Sequence, residues 1–361
     1  MSADQVGVGV IGAGFVADLH LTAFHEVRDA RVVAIAAPSE RRLALAKQHG
    51  IAETYASYHD LLARPDVDVV TLAMPNDLHA RICIDAARSG KHVICEKPLA
   101  MTLKQADAMI EACRDNGVLL MYAEQLCFAP KYVRAKTLVD EGAIGRLFLM
   151  KQSEKHFGPH SPWFWDVERS GGGVVLDMGC HAFQFFRWVA GARRVASVQA
   201  TMATLVHADK TAGEDHAFVI LTFDDGTLAQ CETSWAKRGG MDDRAELYGS
   251  DGLVVADLLM GSSLLTYSEG GYGYAVEKAT VTSGWSFTMF EETWNYGFPQ
   301  EMAHFIDSVR SGRKPLVTGE DGRAVLEIIY AAYASAGQQR VIYLPFEADV
   351  AKPIDLWKSG A

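Results

Sequence analysis

The segment VGVGVIGAGFVA (residues 6–17) decides the fold of this 361-residue chain. Its first half is an apolar run rich in valine, which predicts a β-strand. Its second half has the pattern G-x-G-x-x-A, in which Gly12 permits a tight turn, Gly14 lets a ligand approach the backbone, and Ala17 lets a helix pack on the strand. Such a turn can be purely structural, but here it follows a strand within the first fifteen residues. The segment therefore predicts a dinucleotide site at a helix start.

Short apolar strands and amphipathic helices alternate from this segment to about residue 122. The predicted strands are 31–36, 67–73, 91–95 and 118–122, and the predicted helices are 40–49, 77–89 and 103–116. This alternation is typical of a parallel, doubly wound sheet. The predicted fold class is α/β, with a nucleotide-binding domain over residues 1–124.

The pattern changes after about Glu124, where a second domain, residues 125–361, is predicted. Two Asp-Gly turns, at residues 224–226 and 250–252, separate alternating apolar runs, which is a strong hairpin signal. The second domain should therefore be α+β, with a mixed or mostly antiparallel sheet. Its remaining predicted elements are a strand at 145–154 and helices at 130–141, 174–189, 299–311 and 320–337.

Composition excludes several classes of partner. The 45 acidic residues outnumber the 34 basic ones, and no basic cluster offsets the formal charge of −11, so neither nucleic acid nor an anionic membrane surface is expected. No apolar stretch is long enough to span a bilayer, and Met1–Gln5 does not resemble a signal peptide. Six scattered cysteines without a C-x-x-C pair predict reduced, buried thiols. A cytoplasmic protein is expected.

Two strand ends carry candidate ligand-binding residues, because ligands of such sheets bind at the carboxyl ends of strands. Glu96-Lys97-Pro98 follows one strand, and a charged pair before a proline is poorly suited to packing. Pro75 and Asn76 follow another strand, where they could contact a ribose. Asn76 or Asp77 could equally be a helix N-cap.

The end of the second strand predicts the choice of dinucleotide. NAD-binding domains usually place an acid there, about 20 residues after the glycines, whereas this chain has Ala37. Ser39, Arg41 and Arg42 could accommodate a 2′-phosphate, although the arginines could also lie on a solvated helix face and Glu40 could turn inward. The cofactor is NADP or NAD, and the missing acid favours NADP.

Within the predicted helix 174–189, Asp177 and His181 are four residues apart and should share one face. They could be an ordinary pair on a helix face, or metal ligands together with His156 or His160. No convincing third ligand is present, so no metal is predicted. Trp163 and Trp165, in the loop 156–166, could stack on a sugar ring or belong to the core.

Together these residues resemble the Gfo/Idh/MocA family of nicotinamide-dependent sugar and cyclitol oxidoreductases over nearly the whole chain. The resemblance rests on Gly12-Ala13-Gly14 with His20, Pro75-Asn76 with His79, Glu96-Lys97-Pro98, Gly171-Gly172-Gly173 before Asp177 and His181, and the tail 298–337. It implies a Rossmann domain and a second domain whose open sheet builds homodimers or homotetramers. It also implies that Lys97 and His181 flank the substrate carbinol, with Asp177 as a further polar contact.

The predicted function is hydride transfer between a nicotinamide cofactor and a secondary alcohol or ketone of a small-molecule sugar, sugar derivative or cyclitol. His181 would exchange the hydroxyl proton and Lys97 would stabilise charge on the oxygen. Two alternatives remain: glycoside cleavage or elimination with internally recycled NAD(H), and non-catalytic nucleotide sensing. The predicted site residues are, for catalysis, Lys97, His181 and Asp177; for the cofactor, Gly12, Gly14, Phe15, Val16, Ser39, Arg41, Arg42, Pro75, Asn76, His79, Glu96 and Lys97; and for the substrate, Lys97, His156, Trp163, Trp165, Asp177 and His181.

Overall fold

A computed structural model of the protein describes residues 5–259, 264–288 and 291–358. Of Met1–Gln5, the basis for predicting no signal peptide, only Gln5 lies within the described residues. The chain divides into two compact units, one running up to Gln125 and including Gly297–Leu326, the other comprising Leu126–Tyr296 and the chain from Glu327 onward. Gly297–Leu326 was predicted to belong to the second domain, but it groups with the first unit. Among the described residues, no helix combines the length and apolar character needed to cross a lipid bilayer.

The first unit contains a six-stranded, fully parallel sheet in the order β3-β2-β1-β4-β5-β6. Its strands are β1 Val6–Ile11, β2 Ala30–Ala36, β3 Glu53–Tyr55, β4 Val69–Leu72, β5 His92–Glu96 and β6 Leu120–Ala123. Every residue of β1 and β4 is buried, as expected for parallel strands covered on both faces. The predicted doubly wound parallel sheet is confirmed.

Helices follow the strands of this sheet. They are α1 Phe15–Phe24, α2 Arg41–His49, α3 Tyr58–Leu62, α4 His79–Arg88 and α5 Leu103–Asp115, with the later helix α10 Phe298–Ser311 in the same unit. Thr102 and Gln105 form a capping box at the start of α5, which explains why the helix begins there. The three-residue strand β3 was not predicted, because it is too short to show any periodicity.

The second unit is built on a seven-stranded sheet in the order β12-β11-β7-β10-β9-β8-β15. Only β7 and β10 pair in parallel, so the predicted mixed, mostly antiparallel sheet is confirmed. Its strands are β7 Leu147–Lys155, β8 Val195–Ala203, β9 His216–Phe223, β10 Leu228–Ser234, β11 Asp242–Gly249, β12 Gly252–Asp257 and β15 Ile342–Tyr343; β13 Leu264–Ser268 and β14 Gly284–Thr288 form a separate pair.

The helices of the second unit include α6 Pro130–Asp140, α7 Val167–Ser170, α8 Cys180–Ala190, α9 Glu292–Asn295, the end of α11 Gly319–Gln338, and α12 Asp355–Lys358. The sequence predicted one helix over 174–189. Instead, Val175–Gly179 is a π-helical turn that leads into α8. π-helical turns are uncommon and often occur at functional sites.

The two faces of the second sheet differ. On one face, alternate residues of β7 and β10 are buried, and α8 contacts both strands. The other face carries exposed apolar residues that the strand register places on the same side, namely Phe218, Ile220, Leu228, Leu253 and Val255.

Candidate active site

In the glycine turn after β1, Gly12 packs closely against the protein backbone, whereas the space beside Gly14 is open. Gly12 has φ +127°, and a Cβ at this position would lie 2.0 Å from the carbonyl oxygen of Ala73. Gly14 is the N-cap of α1, so the N-cap residue offers the helix no side-chain cap, and a Cβ there would meet nothing within 4 Å. Ala17 is fully buried in the cluster that joins α1 to the sheet. An uncapped helix start beside open space fits the pyrophosphate of a dinucleotide.

Phe15 and Val16 are the first two residues of α1 and are half-buried. Their place at the helix start is the one predicted for backbone contacts to phosphate.

The two arginines that begin α2, after β2, have different surroundings. Ala37 is buried at the position where an acid would bind a ribose diol, while Ser39 and Arg41 are exposed. The Arg42 guanidinium folds back, donating to the Ser39 carbonyl at 3.1 Å and lying 3.4 Å from a Glu40 carboxylate oxygen. Glu40 is exposed rather than turned inward. Of the two arginines, Arg41 is therefore the more accessible to a ligand.

Pro75 and Asn76 follow β4 at the start of a short 3₁₀ turn, Asn76–Leu78, which leads into α4. The N-cap residue of this turn is Pro75 and that of α4 is Leu78, so neither Asn76 nor Asp77 stands at an N-cap position. Asn76 is buried. His79 is also buried, and its ring nitrogens lie 2.9 Å from the Pro98 carbonyl and 3.0 Å from the Met74 carbonyl.

The carboxylate of Glu96, at the end of β5, is fixed by a histidine of α1. His20 Nε2 lies 2.8 Å from Glu96 Oε1, and His20 Nδ1 lies 2.7 Å from the hydroxyl of Thr71. The second Glu96 oxygen accepts the Lys97 backbone N–H at 3.1 Å. Burial opposes ionisation, but the hydrogen bond and charge of His20, with the charge of Lys97, hold the pKa of Glu96 below its usual value. Glu96 therefore ties α1 to the strand end that carries Lys97.

Lys97 itself is half-buried and precedes a cis proline. It follows β5 directly, at the carboxyl edge of the parallel sheet, as predicted for a ligand-facing residue.

Asp177 lies in the π-helical turn of the second unit, and His181 lies in the first turn of α8. Both residues are buried. Asp177 Oδ2 accepts a hydrogen bond from the indole N–H of Trp235, which follows β10, at 3.0 Å. The Asp177 carboxylate is thus oriented by a tryptophan that sequence reasoning missed.

The loop 156–166 surrounds this tryptophan with aromatic rings. Trp163 stacks on Phe164 with centroids 3.9 Å apart, and Trp165 lies edge-on to Trp235 at 5.4 Å. The loop is pinned by Lys278, which donates to the carbonyls of Gly158 and Pro159 at 3.0 Å each, and by an ion pair between His160 and Glu277.

His156 is buried at the start of this loop. Burial lowers the pKa of His156 well below its usual value, and the neighbouring His160 and Lys278 lower it further, whereas Asp177 opposes them. His156 is therefore neutral at physiological pH, and His160, Lys278 and Asp177 lie within electrostatic range of it.

A row of buried polar side chains was also missed. Gln152, Thr233 and Asp243 are buried on the covered face of the sheet, and each has a side-chain oxygen without a hydrogen-bond partner among the described residues. Asp243 Oδ1 accepts from the Tyr132 hydroxyl at 2.6 Å and from Gln152 at 3.1 Å, while burial raises the pKa of Asp243 to about 7. The spacing in the sequence could have predicted the burial of Gln152, because Gln152 lies two residues after the apolar Met150 and alternate residues of a strand share one face.

All six cysteines are buried, and within the described ranges no disulfide is formed, in keeping with the predicted thiols.

Comparison with known proteins gives consistent matches along the chain. Residues 6–124 match a family model described as an oxidoreductase family with an NAD-binding Rossmann fold, and residues 132–255 match the GFO/IDH/MocA C-terminal domain. The chain is 31% identical to myo-inositol 2-dehydrogenase of Thermotoga maritima, over 93% of this chain and 98% of that protein. It is 29% identical to inositol 2-dehydrogenase of Rhizobium meliloti, with the same coverage.

The fold is shared with solved structures. The crystal structure of GenD2 from gentamicin A biosynthesis, in complex with NAD, superposes with a TM-score of 0.90 at 30% identity, covering 96% of this chain and 98% of that one.

Proposed function

Because the chain belongs to the Gfo/Idh/MocA family of NAD(P)-dependent oxidoreductases, we propose that it transfers hydride between a nicotinamide dinucleotide and a secondary alcohol or ketone of a sugar, sugar derivative or cyclitol. The observation that carries the proposal is where the structure places the two candidate catalytic side chains, each within its own unit. Lys97 follows β5 within Glu96-Lys97-Pro98, and His181 follows Asp177 on the helix after the glycine run. A nucleotide sensor has no need of both groups.

The chemistry requires a group that takes the hydroxyl proton as the carbinol is oxidised. His181 takes this role, because imidazole exchanges protons near neutral pH. The Lys97 ammonium holds the hydroxyl and stabilises negative charge developing on its oxygen. Asp177, held by Trp235, accepts a hydrogen bond from a neighbouring hydroxyl. The bound nicotinamide supplies the hydride acceptor.

The dinucleotide binds along the carboxyl edge of the parallel sheet on this proposal. Gly12, Gly14, Phe15 and Val16 hold the pyrophosphate at the start of α1. The ribose and nicotinamide lie against the residues after β4 and β5, namely Pro75, Asn76, His79, Glu96 and Lys97. The open space at Gly14 and the uncapped start of α1 support this assignment.

We infer a preference for NADP over NAD from the end of β2. The absence of an acid at Ala37 removes the usual ligand of the ribose diol. Ser39 and Arg41 are exposed and would bind a 2′-phosphate, whereas Arg42 would first have to give up its contacts with Ser39 and Glu40. Steady-state kinetics with both cofactors tests this preference.

The substrate contacts Lys97, Asp177 and His181, with His156 and the tryptophans Trp163 and Trp165 nearby. A polyol suits this set, because the side chains of Lys97, Asp177 and His181 all exchange hydrogen bonds with hydroxyl groups.

We also propose a homodimer or homotetramer formed through the open face of the second sheet. Exposed apolar residues, including Phe218, Ile220 and Leu253, support this because such patches mark interaction sites. Light scattering should give two or four times the 39.4 kDa chain mass. Ile220→Lys should shift the mass towards the monomer, and Leu205→Lys, an exposed leucine outside the strands, should not.

The central experiment is a screen of inositols and sugars, beginning with myo-inositol, using NAD⁺ and NADP⁺ and following nicotinamide absorbance. Net oxidation changes the absorbance in proportion to substrate, whereas internal redox consumes substrate without a lasting change. With the best substrate, Lys97→Ala and His181→Ala should each lower kcat by about 100-fold or more.

Lys91→Ala is the matched control for Lys97→Ala. Lys91 is also half-buried, just before β5, where its ammonium donates to the carbonyls of Arg64 and Val67 at 2.9 and 2.8 Å. This control should lose stability and keep its turnover. Near-normal turnover in both the Lys97 and His181 variants would contradict the proposed function.

A further inference from the structure

Glu214, just before β9, is a fully buried carboxylate that the proposed chemistry does not use. Its Oε1 accepts the N–H of Val175 at 2.9 Å and the hydroxyl of Tyr333 at 2.7 Å, and its Oε2 accepts the N–H of Gly173 at 3.2 Å. Its backbone carbonyl accepts the N–H of Val174 at 3.0 Å. Glu214 thus accepts hydrogen bonds from the N–H groups of three consecutive residues, Gly173–Val175, at the start of the π-helical turn. The first N–H groups of a helix have no acceptor within the helix itself.

The glycine run before this turn is explained by the same contacts. A Cβ at Gly172 would lie 2.1 Å from the hydroxyl oxygen of Tyr333. A Cβ at Gly173 would lie 2.0 Å from the carbonyl oxygen of Glu214 and 2.8 Å from its carboxyl carbon. The Tyr333 hydroxyl also accepts the Gly173 N–H at 3.0 Å. These glycines are required because protein, rather than ligand, fills the space beside them.

The neighbouring residue, Asp215, holds Trp235, which donates the hydrogen bond to Asp177. Its backbone carbonyl accepts the N–H of Trp235 at 2.8 Å. Its carboxylate accepts the N–H groups of Leu205, Val206 and His207 at 2.7 to 2.8 Å, which fixes its position. The dipeptide Glu214-Asp215 therefore holds the helix that carries Asp177 and the strand end that carries Trp235.

We propose that Glu214 is a positioning residue for the reaction: by capping the turn at Gly173–Val175, its carboxylate sets where Asp177 and His181 stand relative to Trp235. This proposal rests on the proposed function, in which Asp177 and His181 contact the substrate. A small displacement of such groups lowers turnover, since catalysis depends on the reacting atoms being held in place.

The decisive variant is Glu214→Gln, which keeps the shape but replaces one accepting oxygen with an N–H₂ group that faces backbone donors. With the best substrate of the screen, kcat should fall by about tenfold or more, while the KM for the dinucleotide stays unchanged. Tyr333→Phe is a second, milder variant that keeps Glu214 but removes its hydroxyl partner, and it should lower kcat by a smaller factor. It serves if Glu214→Gln fails to fold.

Ser335→Ala is the matched control on the same helix. Its buried hydroxyl accepts the N–H of Ala200 at 3.0 Å, away from the Glu214 contacts, so its loss should lower the melting temperature without lowering kcat. If Ser335→Ala reduced kcat as much as Tyr333→Phe at equal loss of stability, Glu214 would be merely structural and the proposal would be overturned.

A second readout needs no substrate. The indole N–H resonance of Trp235, assigned with Trp235→Phe, reports its hydrogen bond to Asp177 and should move in Glu214→Gln and Tyr333→Phe but not in Ser335→Ala. An unchanged resonance in a folded Glu214→Gln protein would overturn the proposal. If His181→Ala and Lys97→Ala were fully active while the resonance still moved, the positioning would stand and the proposed function would fail.

Discussion

Two glycine-rich turns in this chain each precede a helix, yet they meet different surroundings. At residues 12–14, the helix start is uncapped and the space beside Gly14 is open. At residues 172 and 173, Tyr333 and Glu214 fill the space beside the glycines. The same residue type therefore serves a ligand in one unit and protein packing in the other.

A buried glutamate holds the helix after each turn, but the two glutamates bind different parts of their helices. Glu96 holds α1 through the side chain of His20, in the second turn of the helix, and does not occupy the helix start. Glu214 instead occupies the helix start itself, accepting the N–H groups of Gly173 and Val175. Because a helix start attracts one anion, a turn already capped by a carboxylate cannot also bind phosphate.

The largest expected effect is on stability, at Gly173. Gly173→Ala forces a methyl group to within 2.0 Å of the Glu214 carbonyl oxygen, so the backbone must move. We expect a loss of about 3 kcal/mol, or about 10 °C in melting temperature, at the upper end of overpacking effects. Gly14→Ala is the matched control and should leave the melting temperature unchanged. Equal melting temperatures for the two variants would remove the distinction between the turns.

The next largest effect is on dinucleotide binding, at Gly14. Gly14→Asp places a carboxylate at the uncapped start of α1 and so makes the first turn resemble the second. The helix should gain a few tenths of a kcal/mol from the cap, while dinucleotide affinity falls by about 100-fold through charge repulsion. Calorimetric titration measures the affinity, and Gly14→Asn, which caps without charge, isolates the electrostatic part. Undiminished affinity in Gly14→Asp would exclude the turn as the pyrophosphate site.

Much of the first unit could be predicted from sequence, because its signals are local. The run 6–11, the glycines that follow it and the alternation of strands and helices fix a parallel sheet without knowledge of distant contacts. The Asp-Gly turn at 224–226 identified the β9–β10 hairpin for the same reason. The three-residue strand β3 has no such signal.

The role of Glu214 could not be predicted from the sequence, because its contacts are with residues far away along the chain. It binds residues 39 and 41 positions earlier and a tyrosine 119 positions later. No spacing rule links Gly173, Glu214 and Tyr333. Similarly, the sequence showed that Asp177 and His181 are four residues apart, but not that Asp177 lies in a π-helical turn and is oriented by Trp235.

A smaller effect concerns the pH dependence of stability, which should have opposite signs at the two glutamates. Burial raises the pKa of Glu214 from 4.5 to about 7, although hydrogen bonds from Val175 and Tyr333 oppose it. The folded state therefore binds its proton more tightly, and this group stabilises the protein below pH 4.5 and loses that contribution as pH rises through about 7. Glu96 has a lowered pKa, so it contributes stability above pH 4.5 and loses it as pH falls through its folded pKa.

The measurement is the difference in melting temperature between each variant and the wild type across pH 3–8. For Glu214→Gln, the difference should move in favour of the variant between pH 5 and 8. For Glu96→Gln, it should move in favour of the wild type between pH 3 and 5. Parallel curves for both variants would show that neither glutamate titrates as its surroundings require.

The smallest effect separates a ligand-facing arginine from a protein-facing one, at the end of β2. Arg41 is exposed, whereas the Arg42 guanidinium is bonded to the Ser39 carbonyl and lies beside Glu40. Arg41→Ala should raise the KM for NADP⁺ by about three- to tenfold, the value of one exposed charge-assisted contact, and leave the KM for NAD⁺ unchanged because only NADP carries the 2′-phosphate. Arg42→Ala should change both KM values alike, since it loosens the loop rather than a phosphate contact. If Arg42→Ala raised only the KM for NADP⁺ and Arg41→Ala did not, the assignment would be reversed. The Arg42 guanidinium would then have to leave the Ser39 carbonyl when NADP⁺ binds, and Arg42 would be the ligand-facing arginine.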